Sequence, residues 1–271
     1  MKQRITTAIL LIATLNGVAF AQSKITVSPS FRNFYYKEVN DAGKFLDKET
    51  GLIAGLQGKI TRQWDNDRLY ASINAGLFDG RAQYDGHTQD GANLRTQTDE
   101  TFYHAGLTLG ENLKWLETPL SIYTSMEYHQ WDRDILATTI SQGLFERYKW
   151  WELSFGTIVN LIKTTPHNLT LNLSIIRTIR PEIMVDLSAH GYGKPEIDLV
   201  SKLGTAIELS YTLHTENNYQ FKLAGKYKTW KFGASKFKTL SNESSTPLAI
   251  KEPDSTTHTV EMRFDLERRF F

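Results

Sequence analysis

Apolar and polar residues alternate one by one along most of this chain. Leu69, Ala71, Ile73, Ala75 and Leu77 are interleaved with Tyr70, Ser72, Asn74 and Gly76. Leu169, Leu171, Leu173 and Ile175 alternate with Thr170, Asn172 and Ser174, and Tyr219, Phe221 and Leu223 with Gln220, Lys222 and Ala224. Near the end Val260, Met262, Phe264 and Leu266 alternate with Glu261, Arg263, Asp265 and Glu267. A period of two puts one class of side chain on each face of a β-strand. No long stretch has helical spacing. The pattern predicts about ten strands, near 24–37, 51–64, 68–80, 98–110, 118–131, 144–162, 167–178, 196–213, 218–236 and 257–271.

The connections alternate too. Short links fall at Asp65-Asn66-Asp67, Glu111–Thr118, Thr164–His167 and Thr215–Asn218. Long polar ones fall at Asn40–Glu49, Gly80–Thr98, Asp132–Gly143, Arg180–Pro195 and Leu240–Thr256, rich in the residues of turns and loops. Short turns at one end and long loops at the other predict an antiparallel up-and-down transmembrane β-barrel. An even strand number places both termini at the short-turn end. In lipid every backbone donor and acceptor must be paired, so only helices and closed barrels cross. Strands of this length suffice, since a tilted span needs about 9–11 residues.

The first 21 residues differ from the rest. Lys2 and Arg4 precede the apolar stretch Ile5–Leu15, and Ala19-Phe20-Ala21 offers small residues for cleavage. This is the layout of a secretory signal peptide, with the barrel domain expected over 22–271. Removing it takes away two positive charges and no acids, so the net charge moves from +1 to −1. Composition now fits. The apolar share is only 40%, as expected where half of each strand faces lipid and half a polar interior, and aromatics reach 12%. Trp64, Trp115, Tyr211 and Tyr219 lie near the short-turn ends. Tyr35, Tyr36, Trp131, Phe145, Trp150, Trp151 and Trp230 lie near the long loops. Together they suggest two interfacial belts. With no cysteine there is no disulfide scaffold, thiolate metal site or lipoprotein anchor. Near-neutral charge argues against a nucleic-acid partner.

The chain ends in Arg268-Arg269-Phe270-Phe271. A terminal alternating strand closing on Phe resembles the C-terminal signal of bacterial outer-membrane barrels. Here the apolar frame runs through Phe270, one residue off the terminal Phe271, and Arg268 interrupts it. The mature chain resembles the small outer-membrane barrels, in the size class of the omptin proteases and Opc-type adhesins. That resemblance implies the cell outer membrane, outer-membrane lipid and lipopolysaccharide as surroundings, the barrel assembly machinery as a partner of the last strand, and a monomer without cofactor or metal.

Chemistry is concentrated on the polar faces. The alternation turns Lys222, Lys226 and Lys228 inward beside Glu261, Arg263, Asp265 and Glu267, a ladder of opposite charges expected to restrict the lumen. Lys59, Arg32, Glu127, Glu152, Lys202, Glu208 and Arg269 are placed inward with them. His129, Asp132 and Asp134 crowd the end of the fifth strand, and Asp186 and His190 share a long loop. A His with carboxylates at a barrel mouth can do acid–base work. The omptin Asp-x-His pair is missing, so no catalytic residue is carried over from that family. The expected function is surface interaction, envelope structure or restricted passage of small solutes. The alternatives are an outer-membrane enzyme, an omptin-like protease or lipid A hydrolase, and after it a soluble periplasmic ligand-binding barrel.

Overall fold

The computed structural model describes residues 22–64, 66–88, 91–113, 120–215, 218–242 and 245–270. The expected signal peptide and Trp115 lie outside them. Ten long antiparallel strands close on themselves. They are β1 (Gln22–Val39), β2 (Phe45–Trp64), β3 (Leu69–His87), β4 (Asn93–Leu113), β5 (Leu120–Ile135), β6 (Leu144–Lys163), β7 (His167–Val185), β10 (Leu203–His214), β11 (Tyr219–Gly233) and β14 (Asp254–Phe270). Each pairs with the next in sequence, β7 with β10 and β11 with β14, and β14 returns to β1. Four short strands, β8 (Glu196–Asp198), β9 (Val200–Ser201), β12 (Lys238–Asn242) and β13 (Ser245–Ile250), belong to the connections.

Closure fixes the tilt. Following paired residues once around the barrel from Tyr35 through His258, Thr229, Thr205, Ile175, Phe155, Thr124, Leu109, Ala71 and Arg62 returns to β1 at Ser23, a shear of twelve residues. Ten strands with that shear lean about 40° from the axis. The outward apolar run of β14, from Val260 to Phe270, therefore covers about 25 Å of axial height, the thickness of an outer-membrane apolar band. Around the barrel, Ile25, Phe31, Leu56, Ile73, Leu107, Met126, Phe155 and Ile175 continue this exposed apolar surface.

Above the band the strands do not stop. The segment expected as the second long loop is mostly strand, and the first and third are strand in part: β2 begins at Phe45, β3 runs to His87, β4 starts at Asn93 and β5 reaches Ile135. Unbroken register through Lys48↔Asp85 and Asp85↔Arg95 keeps the wall regular there, with charged side chains outward. Polar composition misled the loop assignment, because a strand wet on its outer face needs no apolar residue there. The strand expected over 196–213 is broken into β8, β9 and β10, and the last long connection carries the β12–β13 hairpin.

The outer aromatic belt also differs from expectation. Tyr36, Trp131, Trp150 and Trp230 point into the barrel and are buried. Alternation decides this, since they share the inward frame of their strands. The outward aromatics at that height are Tyr35, Tyr103, Tyr128, Trp151 and Tyr227, with Tyr128 edge-on to Trp151 at 5.4 Å. At the periplasmic end Trp64, Tyr211 and Tyr219 do face outward. Phe270 continues the outward frame there, and the guanidinium of Arg268 lies 5.0 Å from its ring and 5.5 Å from that of Tyr219. The basic residue that interrupts the terminal pattern thus packs its charge over aromatics at the membrane edge.

Candidate functional site

The inward frame builds three layers along the lumen. The lowest, beside the lower part of the apolar band, is a polar cavity of about 410 Å³. All seven residues of the expected charge ladder line it: Lys222, Lys226, Lys228, Glu261, Arg263, Asp265 and Glu267. Register explains the pairing. Glu208, Lys226 and Glu261 are direct cross-strand neighbours on β10, β11 and β14, and Lys222 pairs with Asp265. Arg263 Nε donates to Asp265 Oδ1 at 2.8 Å and Nη2 to Glu208 at 3.1 Å, while Lys222 Nζ donates to Glu208 at 3.3 Å. Arg32 Nη2 donates to Glu261 at 3.0 Å, and Lys24 Nζ to Glu267 at 3.1 Å. Lys202, placed inward from sequence, is exposed and does not line the cavity. A second cavity of about 310 Å³ at the short turns shares Gln63, Asn112 and Ser121 with the first, so the two adjoin at the periplasmic end.

At the top of the polar cavity sits His129. Its Nε2 lies 3.3 Å from Glu127 and 3.6 Å from Glu152, and its ring stacks on Trp150 at 4.9 Å. Lys228 Nζ donates to Glu152 at 2.8 Å, and Asn74 Nδ2 to Glu127 at 2.9 Å. Glu127, His129 and Glu152 are close enough to hold a metal ion. The ammonium of Lys228 on Glu152 already supplies the positive charge that an ion would bring.

The middle layer is apolar and aromatic. Phe34, Phe78, Phe102, Trp131, Tyr148, Trp150, Trp230 and Phe232 form one buried cluster with Ile53 and Ile183. Phe102 and Trp131 stack at 5.3 Å, and Trp131 and Tyr148 at 4.7 Å. Glycine makes room: a Cβ on Gly55 would come within 2.3 Å of the Phe78 ring. That ring in turn carries the Arg32 guanidinium 3.8 Å from its centre. The layer reaches from β1 to β11, and none of these residues is more than 5% exposed.

The third layer lies beyond the apolar band, where outward neighbours such as Asp99, Asp132 and Arg147 are charged. Arg133, buried, is held among carboxyl groups. Its Nη1 donates to Glu146 at 2.7 Å and its Nε to Glu49 at 3.1 Å, with Glu38 at 3.6 Å and Asp47 at 4.0 Å. Glu100, which accepts from the Trp131 indole, and Glu252 complete the group. Tyr36 donates to Glu38, Tyr84 to Asp47 at 3.3 Å and Tyr148 to Glu252 at 2.7 Å. Glu252 comes from the last connection, clamped by its N–H on Ser235 Oγ at 2.8 Å. Burial, with Glu146 nearby, pushes its carboxyl up to about 8, against the lowering effect of the Tyr148 hydrogen bond.

The remaining sequence candidates are not brought together. His129 faces the lumen, whereas Asp132 and Asp134 lie in the opposite frame of β5. Asp132 is bound by Arg147 at 2.7 and 2.8 Å, and Asp134 is exposed. Asp186 is bonded by Lys194 at 2.7 Å and accepts from Ser188 N–H at 3.1 Å, which holds its carboxyl down at about 2. His190 is exposed in a single 3₁₀ turn, Ser188–His190. The cage around Arg133 was missed from sequence. Its signal was the inward frame itself, in which Tyr36 and Glu38, Asp47 and Glu49, and Trp131 and Arg133 stand two apart.

No family model and no curated protein sequence matches the chain. Among solved structures, the outer membrane protease OmpT from Escherichia coli aligns over 94% of this chain and 99% of its own, with a TM-score of 0.55 at 9% identity. The translocator domain of the autotransporter NalP from Neisseria meningitidis covers 97% and 92%, with a TM-score of 0.47 at 9% identity. The outer membrane protein OprG from Pseudomonas aeruginosa covers 92% and 96%, with a TM-score of 0.42 at 11% identity. At this identity the likeness to OmpT is one of fold. Closed strands, apolar outer band and fold likeness agree: the chain is a ten-stranded β-barrel of the bacterial outer membrane.

Proposed function

We propose that this barrel acts in surface interaction, as a monomeric, non-conducting platform that holds a rigid charged rim outside the cell. The observation that carries this reading is the buried aromatic layer in the lumen, which opposes the passage of diffusing solutes. Above it β2 to β5 continue as paired strand, so on that side much of what reaches the exterior is paired wall. On the rim Phe237 is 73% exposed between Lys236 and Lys238, with the Lys251 ammonium 5.4 Å from its ring. An exposed aromatic among ammonium groups suits a polyanionic partner. In this reading lipopolysaccharide surrounds the outward aromatics, and β14 serves the assembly machinery as its C-terminal handle. The enzymatic alternative lacks a shared reacting point, because its candidate residues are divided between lumen, outer face and loop.

The test is retention of the purified barrel on heparin-agarose, with conductance measured in parallel. The triple variant Lys236→Gln, Phe237→Ser, Lys238→Gln is expected to elute at lower salt than the parent, and the parent to be silent in planar bilayers. Equal elution, or steady conductance by the parent, would overturn the proposal.

A further inference from the structure

The polar cavity carries an excess of cations. Seven Lys and Arg and six acidic side chains line it. Five of the six carboxylates have a Lys or Arg partner within 4.0 Å, and the sixth, Glu127, has His129 at 3.3 Å and the Asn74 amide. Among the described residues Lys59, on β2, and Lys226, on β11, make no ion pair and no hydrogen bond; Lys226 stands between Glu208 and Glu261 in register, whereas Lys59 has no acidic cross-strand neighbour. Its charged neighbours are Lys24, Lys222, Arg263 and Glu208, three of them of its own sign. Glu208 is already bonded by Lys222 and Arg263. Lys59 therefore extends into the cavity as an unmatched ammonium beside further cations.

Position makes it available. Lys59 pairs with Thr26 on β1 and Asn74 on β3, level with outward Ile60 and Ile73 of the apolar band. Its side chain is exposed to the cavity rather than packed against the wall, so the ammonium can meet a solute there. The Gln63 amide and one hydroxyl of the mutually bonded Thr61–Ser72 pair line the same cavity and can donate hydrogen bonds to a ligand oxygen.

We propose that the cavity is an anion-binding site, in which Lys59, supported by Lys24, Lys222 and Arg263, receives the oxyanion group of a small phosphate or carboxylate solute from the periplasmic side. The volume, about 410 Å³, falls in the range of small-ligand pockets of about 300–1,000 Å³. The adjoining cavity at the short turns gives the approach, and the aromatic layer closes the other end. The lumen is then a blind pocket, selective by charge. A ligand of this class would add the negative charge that the wall lacks and draw Lys59 into an ion pair.

The test uses the full barrel in detergent micelles, titrated calorimetrically with inorganic phosphate in one arm and succinate in the other. Saturable one-to-one binding is expected in at least one arm, and which arm responds tells phosphate from carboxylate. Lys59→Gln is expected to weaken that binding at least tenfold and Lys59→Arg to keep it within about threefold. Heat-modifiable gel mobility verifies that each variant is folded. Ile140→Ser, exposed in the connection between β5 and β6 and away from the cavity, serves as a second variant and is expected to bind like the parent. Absence of saturable binding in both arms would overturn the proposal and leave Lys59 merely hydrated. So would equal affinity in parent and Lys59→Gln.

Discussion

Arg133 carries the strongest prediction. Among the described residues it is the only cation within ion-pair distance of Glu38, Asp47, Glu49 and Glu146 in the layer outside the membrane, where Glu100 and Glu252 also lie, and two of its nitrogens donate at 2.7 and 3.1 Å. Replacing it by Met keeps much of the side-chain length and removes the charge. Breaking a buried ion pair by removing one partner costs about 3–5 kcal/mol, because the other charge is left uncompensated. Arg133→Met should therefore lose about that much against the parent at neutral pH, measured by urea unfolding with tryptophan fluorescence. The penalty should shrink as pH falls, since protonation neutralises the carboxylates left behind. Arg133→Met combined with Glu49→Gln should recover part of the loss, because the pair shares one interaction. Arg133→Lys should not restore the parent, as a point charge cannot hold Glu49 and Glu146 from two faces of a planar fork. A penalty below about 1 kcal/mol at neutral pH, or one that grows on acidification, would refute the view that Arg133 compensates this cage.

Two more predictions follow from the same layers. The carboxyl of Glu252 sits at about 8 in the fold against an ordinary 4.5, so the folded state holds its proton more tightly. Its stabilising contribution is full below about 4.5 and is lost as pH rises through 8, by up to about 1.4 kcal/mol per pH unit. The urea midpoint should fall over that window in the parent and be flatter in Glu252→Gln. Trp131→Ala should cost about 3–5 kcal/mol for the lost aromatic contacts and open a void in the lumen layer. It should also turn a silent barrel into one with measurable conductance in planar bilayers. Silence in a folded Trp131→Ala would show that other members of the layer suffice to close it.

Much of this protein is written in a period of two. Alternation alone places Glu261, Arg263 and Asp265 on one face and Val260, Met262 and Phe264 on the other, and counting such runs gives the ten strands. It could not say which aromatics meet lipid. Tyr35 and Tyr36 are adjacent and chemically alike, and one faces the membrane edge while the other lies under Arg133. Nor could it tell a strand with a wet outer face from a loop, so the second expected loop proved to be mostly wall.

What the sequence determined by itself was local: strand periodicity, turn positions and the sign of charge on each face, all set by neighbours within a few residues. Everything that depends on closure had to wait for the three-dimensional fold. The shear of twelve brings Glu38 and Asp47 level with Arg133 and Glu146 across the barrel, and seats Glu252 of the last connection on Tyr148 of β6. It also leaves Lys59 near Lys24, Lys222 and Arg263 with no ion pair of its own among the described residues. Such contacts join residues far apart in the chain, and their partners are fixed only when the last strand meets the first.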